Sequence, residues 1–170
     1  MTFKYQLLND GTYQVVEVLH DRKHISLSML FSKKKVSAIE HDAFVNIKQL
    51  EEIGLSSNIK FVSKQAFQSN KNLKRIIVPE NKSKKFVQIL TDIDVSSSNI
   101  GLYENNLQGI LFNQKVVQPN EVQQIINRKK IGDSLYLQVN TTQELTYVYE
   151  NKIWKKVDSN VVYHEEHNMV

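Results

Sequence analysis

Cysteine is absent from the 170 residues of the chain. That excludes disulfide staples, a thiolate zinc site and a cysteine nucleophile, and it leaves the redox compartment open. Proline occurs twice and glycine five times, too rarely for a collagen-like or flexible-linker chain. The glycines do not cluster, so neither G-x-G-x-x-G nor a phosphate loop is present. No window reaches the roughly 18 apolar residues of a membrane span. The start, "MTFKYQLLND", has Lys4 but no apolar core for a signal peptide, and Asp10 follows at once. An excess of charge of one sign is also lacking, since the formal net charge is only +4. The cations fall in short groups: Lys33-Lys34-Lys35, Lys82 with Lys84-Lys85, Arg128-Lys129-Lys130, and Lys152 with Lys155-Lys156. A nucleic-acid binder focuses such charge on one face with aromatics between. Scattered as they are, these groups read as solvated turns and edges, and nucleic acid is not an expected partner.

What is present is enough apolar residue for a core, 41% of the chain, and a repeat. Shifting the sequence by 23 positions lays Val36 on Ile59, Ile39 on Val62, Ala43 on Ala66, Phe44 on Phe67, Leu50 on Leu73, Ile53 on Ile76 and Leu55 on Val78. Every apolar position lands on an apolar position without a gap, while polar residues between them change freely, as in Glu40 against Ser63. The spacing predicts short extended pieces at Val36–Ile39 and Ile59–Val62. A brief helical turn opens at Ala43-Phe44 and Ala66-Phe67, and a returning strand runs through Leu50, Ile53, Leu55 and their copies with alternate residues inward. One such unit cannot cover its own apolar edge; stacked units cover each other.

The units "IEHDAFVNIKQLEEIGL" and "VSKQAFQSNKNLKRIIVP" resemble the BspA-type leucine-rich repeat, which reads roughly I-x-x-x-A-F-x-x-x-x-x-L-x-x-I-x-L-P, with Pro79 at the terminal proline. Asn70 sits where that family often has Cys or Asn; Ile47 departs from it. Upstream, Asn9-Asp10-Gly11 is turn chemistry. It leads into an apolar strand over Tyr13–Leu19, and Ile25, Leu27 and Met29 alternate with Ser26 and Ser28 as a half-buried strand. Downstream, "SKKFVQILTDI" reads as a short helix carrying Phe86, Ile89, Leu90 and Ile93. "LYENNLQGILFNQKVVQP" carries Gly109, Ile110, Leu111, Phe112 and Pro119 of the same resemblance, which covers about residues 5–119.

The remainder is punctuated as a helix and a β meander. Asn120 suits an N-cap, Glu121 the first turn, and Val122, Ile125 and Ile126 an apolar face; Arg128–Lys130 favour the C-terminal end and Gly132 the exit. Strands are expected over Leu135–Val139, Leu145–Tyr149 and Ile153–Val157, with turns at Asn140-Thr141-Thr142 and Glu150-Asn151-Lys152. This stretch resembles a small β module common in phage tail, baseplate and fibre proteins, through Gly132, Asp133, Thr142, Leu145, Tyr147, Tyr149, Trp154 and Val157. Asn151 replaces the glycine usual before the tryptophan.

Little reads as chemistry. His20 and His24 lie in a turn, so they are not a helical metal pair. His164 and His167 are three apart in a polar tail, not the H-E-x-x-H zinc spacing. Asp133-Ser134 lacks a nucleophile elbow, and Glu51-Glu52 and Glu165-Glu166 read as solvated. No catalytic, cofactor or metal residue is assigned, and no enzyme activity is expected. Surface remains. Glu51, Glu52 and Gly54 of the first unit, and Lys74, Arg75 and Ile77 of the second, should form adjacent acidic and basic rungs on an exposed face. Tyr147 and Trp154 are a candidate aromatic docking spot.

The expected fold is α+β: a short leucine-rich-repeat solenoid with a β hairpin at its start and a C-terminal helix plus antiparallel meander. The expected domains are 1–118 and 119–170, with full repeats at about 36–79. The expected function is that of a non-catalytic structural or interaction protein. An assembly component such as a phage tail, baseplate or fibre protein comes first, a surface-adhesion module or intracellular regulator second. Partners are proteins or further copies of itself, the location virion or cytoplasm, with no signal peptide visible.

Overall fold

The first strand pair is a hairpin. β1 (Phe3–Leu7) runs antiparallel to β2 (Tyr13–Val18) around the Asn9-Asp10-Gly11 turn. Gly11 takes φ +84 there, a conformation only glycine adopts freely. The fold is seen in a computed structural model that describes residues 2–97, 99–112, 115–122, 124–125, 137–158 and 161–169.

After the hairpin the chain winds. Two parallel ladders, one on each side of a shared core, carry the coils. In the first, β2 pairs with β5 (Lys34–Ile39), and β5 with β7 (Phe61–Val62). β4 (Leu30–Phe31) folds back on β5 through a tight turn with Ser32 and Lys33 at φ 49 and 65. The second ladder is β3 (His24–Ser26), β6 (Glu52–Gly54), β8 (Arg75–Pro79) and the first half of β9 (Ile100–Phe112), four parallel rungs in order.

The 23-residue repeat is visible in both ladders. Ala38 faces Phe61, Ile39 faces Val62, Glu52 faces Arg75 and Ile53 faces Ile76. Between the strands the chain turns by i→i−3 bonds, again in matched positions. Ala43, Val45 and Ile47 N–H donate to Glu40, Asp42 and Phe44 carbonyls; Ala66, Gln68 and Asn70 N–H donate to Ser63, Gln65 and Phe67. Such tight turns are too short to become α-helix. Ala43 and Ala66 occupy equivalent, buried places in stacked coils, and Phe44 and Phe67 are fully buried beside each other. The stacking expected from the repeat is therefore present.

In the fourth coil a helix, α1 (Ser83–Ile89), replaces the strand of the first ladder. Phe86 is buried from it and Ile89 half-buried, and Leu90 and Ile93, just past its end, are buried too. α1 has no side-chain cap of its own. The Glu104 carboxylate on β9 serves instead, accepting from Asn81 N–H (3.0 Å) and Ser83 N–H (3.4 Å).

The expected α+β balance is corrected by these findings. α1 is the one α-helix of defined length among the described residues, which are otherwise almost entirely β-strand and turn. The expected C-terminal helix begins as a 3-10 turn over Pro119–Glu121, whose Glu121 carboxylate accepts from Gln118 N–H at 3.2 Å. Gln118, not Asn120, thus takes the cap position. Residues 126–136, with Arg128–Lys130 and Gly132-Asp133, lie outside the described residues.

The meander is corrected too. Asn140-Thr141-Thr142 is no turn; it lies within a single strand, β11 (Leu137–Glu150), antiparallel to β9 along nearly its whole length. β9 offers a continuous ladder, and two β-branched threonines suit a strand; only a bulge between Asn140 and Thr141 marks the spot. β12 (Ile153–Lys156) returns as expected through Asn151-Lys152, both at positive φ. β10 (Lys115–Val117) pairs with the far end of β9. The segment around His164, expected as a polar tail, is instead β13 (Val162–Met169), antiparallel to β11. One sheet therefore runs from β3 through β9 into β11, β12 and β13, across the position where a domain boundary was expected.

Candidate protein-interaction surface

Strand alternation sorts the rungs of the second ladder into two faces. Ile25, Ile53, Ile76 and Leu102 stack inward and are buried. Outward go two rows: His24, Glu52, Arg75 and Gly101, then Ser26, Gly54, Ile77 and Tyr103.

The first row is an ion ladder. Arg75 Nε donates to Glu52 Oε1 at 2.9 Å, and His24 Nδ1 lies 3.1 Å from Glu52 Oε2. Beside it, Glu51 reaches Lys74 at 3.3 Å and Lys23 at 3.9 Å. The expected acidic and basic rungs are thus adjacent, and they neutralise each other in pairs. The outer pairs are solvated and contribute little to stability, about 0–1 kcal/mol each. The Glu52 side chain is only 14% exposed, so the inner pair is more firmly held. The Arg75 guanidinium also lies 4.4 Å from the ring centre of Tyr163 on β13, a cation–π contact that ties the C-terminal strands to this face.

The second row floors a shallow trough of about 350 Å³ lined by Ser26, Gly54, Ile77, Pro79, Asn105 and Gln143, with Glu52 and Glu80 beside them. Gly54 matters here, since a Cβ at that position would stand 3.0 Å from Ser26 Oγ. Ile77 is 7% exposed and forms floor rather than rim.

Glu51, Glu52, Lys74, Arg75 and Ile77 are therefore brought together. Tyr147 and Trp154 are not with them. Their register opposite Leu102 and beside Tyr149 puts them on the inward side of the sheet. Trp154 Nε1 donates to the Leu90 carbonyl at 2.9 Å, its ring lies 4.8 Å from that of Tyr149, and the Tyr149 hydroxyl donates to the Ile93 carbonyl at 2.9 Å. These aromatics close the C-terminal end of the core. Burial pushes the Tyr149 hydroxyl above its ordinary pKa, with Asp92 and Asp94 adding to the shift. Tyr147 is half-buried at a second depression that also holds Glu104, Glu144 and Lys156.

Lys23, His24, Ser26 and Tyr163 join the face without having been expected on it. His24 faces Glu52, a step of 28 rather than 23, so an ungapped comparison passes over the first rung. The alternation around Ile25 was the one available signal. Among the described residues no group of three His, Asp or Glu side chains converges to hold a metal, and no helix is long and apolar enough to cross a membrane.

Four parallel rungs, matched turns and an outward ladder define a short β-solenoid of the leucine-rich-repeat class. The family model described as BspA type leucine rich repeat region (6 copies) matches residues 22–125, well over half of the chain, and the chain belongs to that family. The match opens just before β3, where the parallel ladder begins. No curated protein and no solved structure matches the chain. Leucine-rich repeats suggest a role in binding protein partners.

Proposed function

We propose that the chain is a non-catalytic scaffold that binds a protein through the outward face of its parallel ladder. The observation that carries this reading is the ordered charge row, Lys23–Glu51–Lys74 beside His24–Glu52–Arg75, held on a rigid sheet and open to solvent along one side. Solenoids offer such faces to other macromolecules because their side chains are fixed by stacking before binding. Tyr147 and Trp154 support this face indirectly, by holding the end of the core. Residues 1–118 would supply the repeat face and 119–170 the closing β module.

The finer reading is an assembly component such as a phage tail, baseplate or fibre protein. It draws on the β11–β12 turn region, where Thr142, Leu145, Tyr147, Tyr149, Trp154 and Val157 carry the resemblance noted above. A surface-adhesion module is the alternative, and an intracellular regulator a third. Co-purification with particles separates the first from the others, and a cell-surface binding assay separates the last two.

The face itself is tested by replacing Lys74 with a photo-crosslinking residue and identifying the captured protein by mass spectrometry. In a separate direct-binding assay of the captured protein, the double variant Glu51→Lys with Lys74→Glu should lose binding, because the Glu51–Lys74 pair is kept with its polarity reversed. A crosslinker at the exposed Lys64, in the turn between the ladders, should not capture that protein. Equal capture at Lys64 would rule out this face.

A further inference from the structure

The two ends of the parallel ladder are finished differently. At one end β11 covers β9 with an antiparallel strand. At the other, β3 is the last rung, and no described residue pairs with its second edge. The polarity of that edge can be derived. The Lys23 carbonyl accepts from Glu51 and Glu52 N–H at 2.8 and 3.0 Å, and Leu27 N–H donates to the Gly54 carbonyl at 2.9 Å. Residues 23, 25 and 27 therefore turn their backbone groups toward β6. Parallel-strand alternation then points the N–H and C=O of His24 and Ser26 away from it, into solvent. Both residues are exposed.

The surroundings of this edge are basic. Arg22, Lys23 and His24 are exposed in sequence, with His20 just before them. The neighbouring carboxylate, Asp21, is engaged elsewhere, its Oδ1 accepting from Gln49 N–H at 3.0 Å. Along the Lys23, Glu51, Lys74 row the sign alternates from rung to rung, and in the row beside it Glu52 lies between His24 and Arg75. The next position outward from Lys23 and His24 would continue that alternation if it were acidic. A second copy of β3 would bring like charges together, which disfavours self-pairing at this edge.

We infer that β3 accepts an extended acidic segment of a protein partner as a fifth rung, with its backbone paired to His24 and Ser26 and its carboxylates against Arg22 and Lys23. This rests on the protein-binding reading above but places the contact on the edge of the ladder rather than its face. Main-chain bonds supply the attachment and the basic border supplies the choice of partner.

The test uses the full chain and two blocked ten-residue peptides, one alternating Glu with Thr and the other Lys with Thr. Anisotropy of the labelled peptides gives affinity, and amide hydrogen exchange read by NMR gives pairing. The acidic peptide should bind, the basic one should not, and the His24 and Ser26 amides should become protected. Arg22→Gln with Lys23→Gln should weaken binding by roughly tenfold, as loss of two border charges implies. Ser26→Pro removes an N–H that faces solvent, not one that faces β6, and should abolish binding while the chain remains folded by circular dichroism. No binding of the acidic peptide, equal binding of both, binding without protection of those two amides, or unchanged binding by Ser26→Pro would each overturn the inference. A partner still captured at Lys74 in that event would leave the protein-binding face standing and remove only the edge.

Discussion

The rings of Phe44 and Phe67 lie 5.3 Å apart, tilted by 39°, and both are fully buried. They are the same residue of successive coils, so their contact measures the stacking directly. Phe44→Ala and Phe67→Ala should each cost about 3–5 kcal/mol. The double mutant should fall short of the sum by about 0.5–1.5 kcal/mol, the coupling of an aromatic pair. Urea unfolding of the four chains checks it; strict additivity would mean that the coils do not support each other here.

Asn70 stitches the same two coils by a different force. Its Nδ2 donates to the Phe44 carbonyl at 3.1 Å and the Ile47 carbonyl at 2.7 Å, from a fully enclosed site. Asn70→Ala should cost about 1–3 kcal/mol by removing both bonds and leaving the Ile47 carbonyl without its donor, while the Phe44 carbonyl keeps the Ile47 N–H. Asn70→Asp should be worse, because it replaces the donor with a buried acceptor. Thermal melts at neutral pH give the order; an Asp variant as stable as wild type would refute the bonding account.

Trp154, the one tryptophan, closes the far end of the core through its bond to Leu90. Trp154→Phe should lose about 1–3 kcal/mol from that orphaned carbonyl and the thinner ring. In the wild type, the red shift of its fluorescence should coincide with global unfolding followed by circular dichroism. An earlier red shift would show the closing strands leaving first.

Lys152 stands at φ 63 in the β11–β12 turn, beside Asn151 at φ 52. Two positive φ angles define the hairpin turn that favours Asn-Gly. Lys152→Gly should therefore raise stability by about 0.5–1 kcal/mol, since a left-handed side-chain residue costs about 1–2 kcal/mol. A lowered melting temperature would contradict this.

Asp10 provides a pH dependence of known sign. The Thr12 hydroxyl and then the Thr12 amide donate to its carboxylate, at 2.6 and 2.9 Å, and hold its pKa below the ordinary 3.8. These bonds favour the ionised form. Their stabilisation is complete above that ordinary value and fades as the pH falls through the lowered one. An NMR titration should find the Asp10 pKa depressed, and Thr12→Val should move it back up. No upward movement would exclude the hydroxyl as cause.

Legibility from sequence followed the regularity of the period. Where the step is 23, from Ala38 to Phe61 and from Glu52 to Arg75, the repeat placed both ladders and the charged rungs. Where the step changes, as from His24 to Glu52 and from Arg75 to Gly101, the rungs were hidden although Ile25 and Leu102 fill the same inward places. The turn expected at Asn140–Thr142 failed for another reason. Local turn preference is weak against a long partner strand, and β9 was not recognisable as that partner. His164 looked like tail because polar residues say nothing of edge pairing. Tyr147 and Trp154 were legible as important aromatics, but their side of the sheet depends on the Leu145/Tyr147 bulge, which leaves no mark in the composition.

The direction reversal between β9 and β11 has a consequence for how such a chain can change length. A parallel ladder grows by adding rungs that run the same way, and an antiparallel strand laid across its last member is a stop. A further coil of this kind has no place beyond β11. It would have to be spliced in ahead of β9, where each rung still hands its direction to the next, so that lengthening the chain would push the closing strands outward intact rather than bury them.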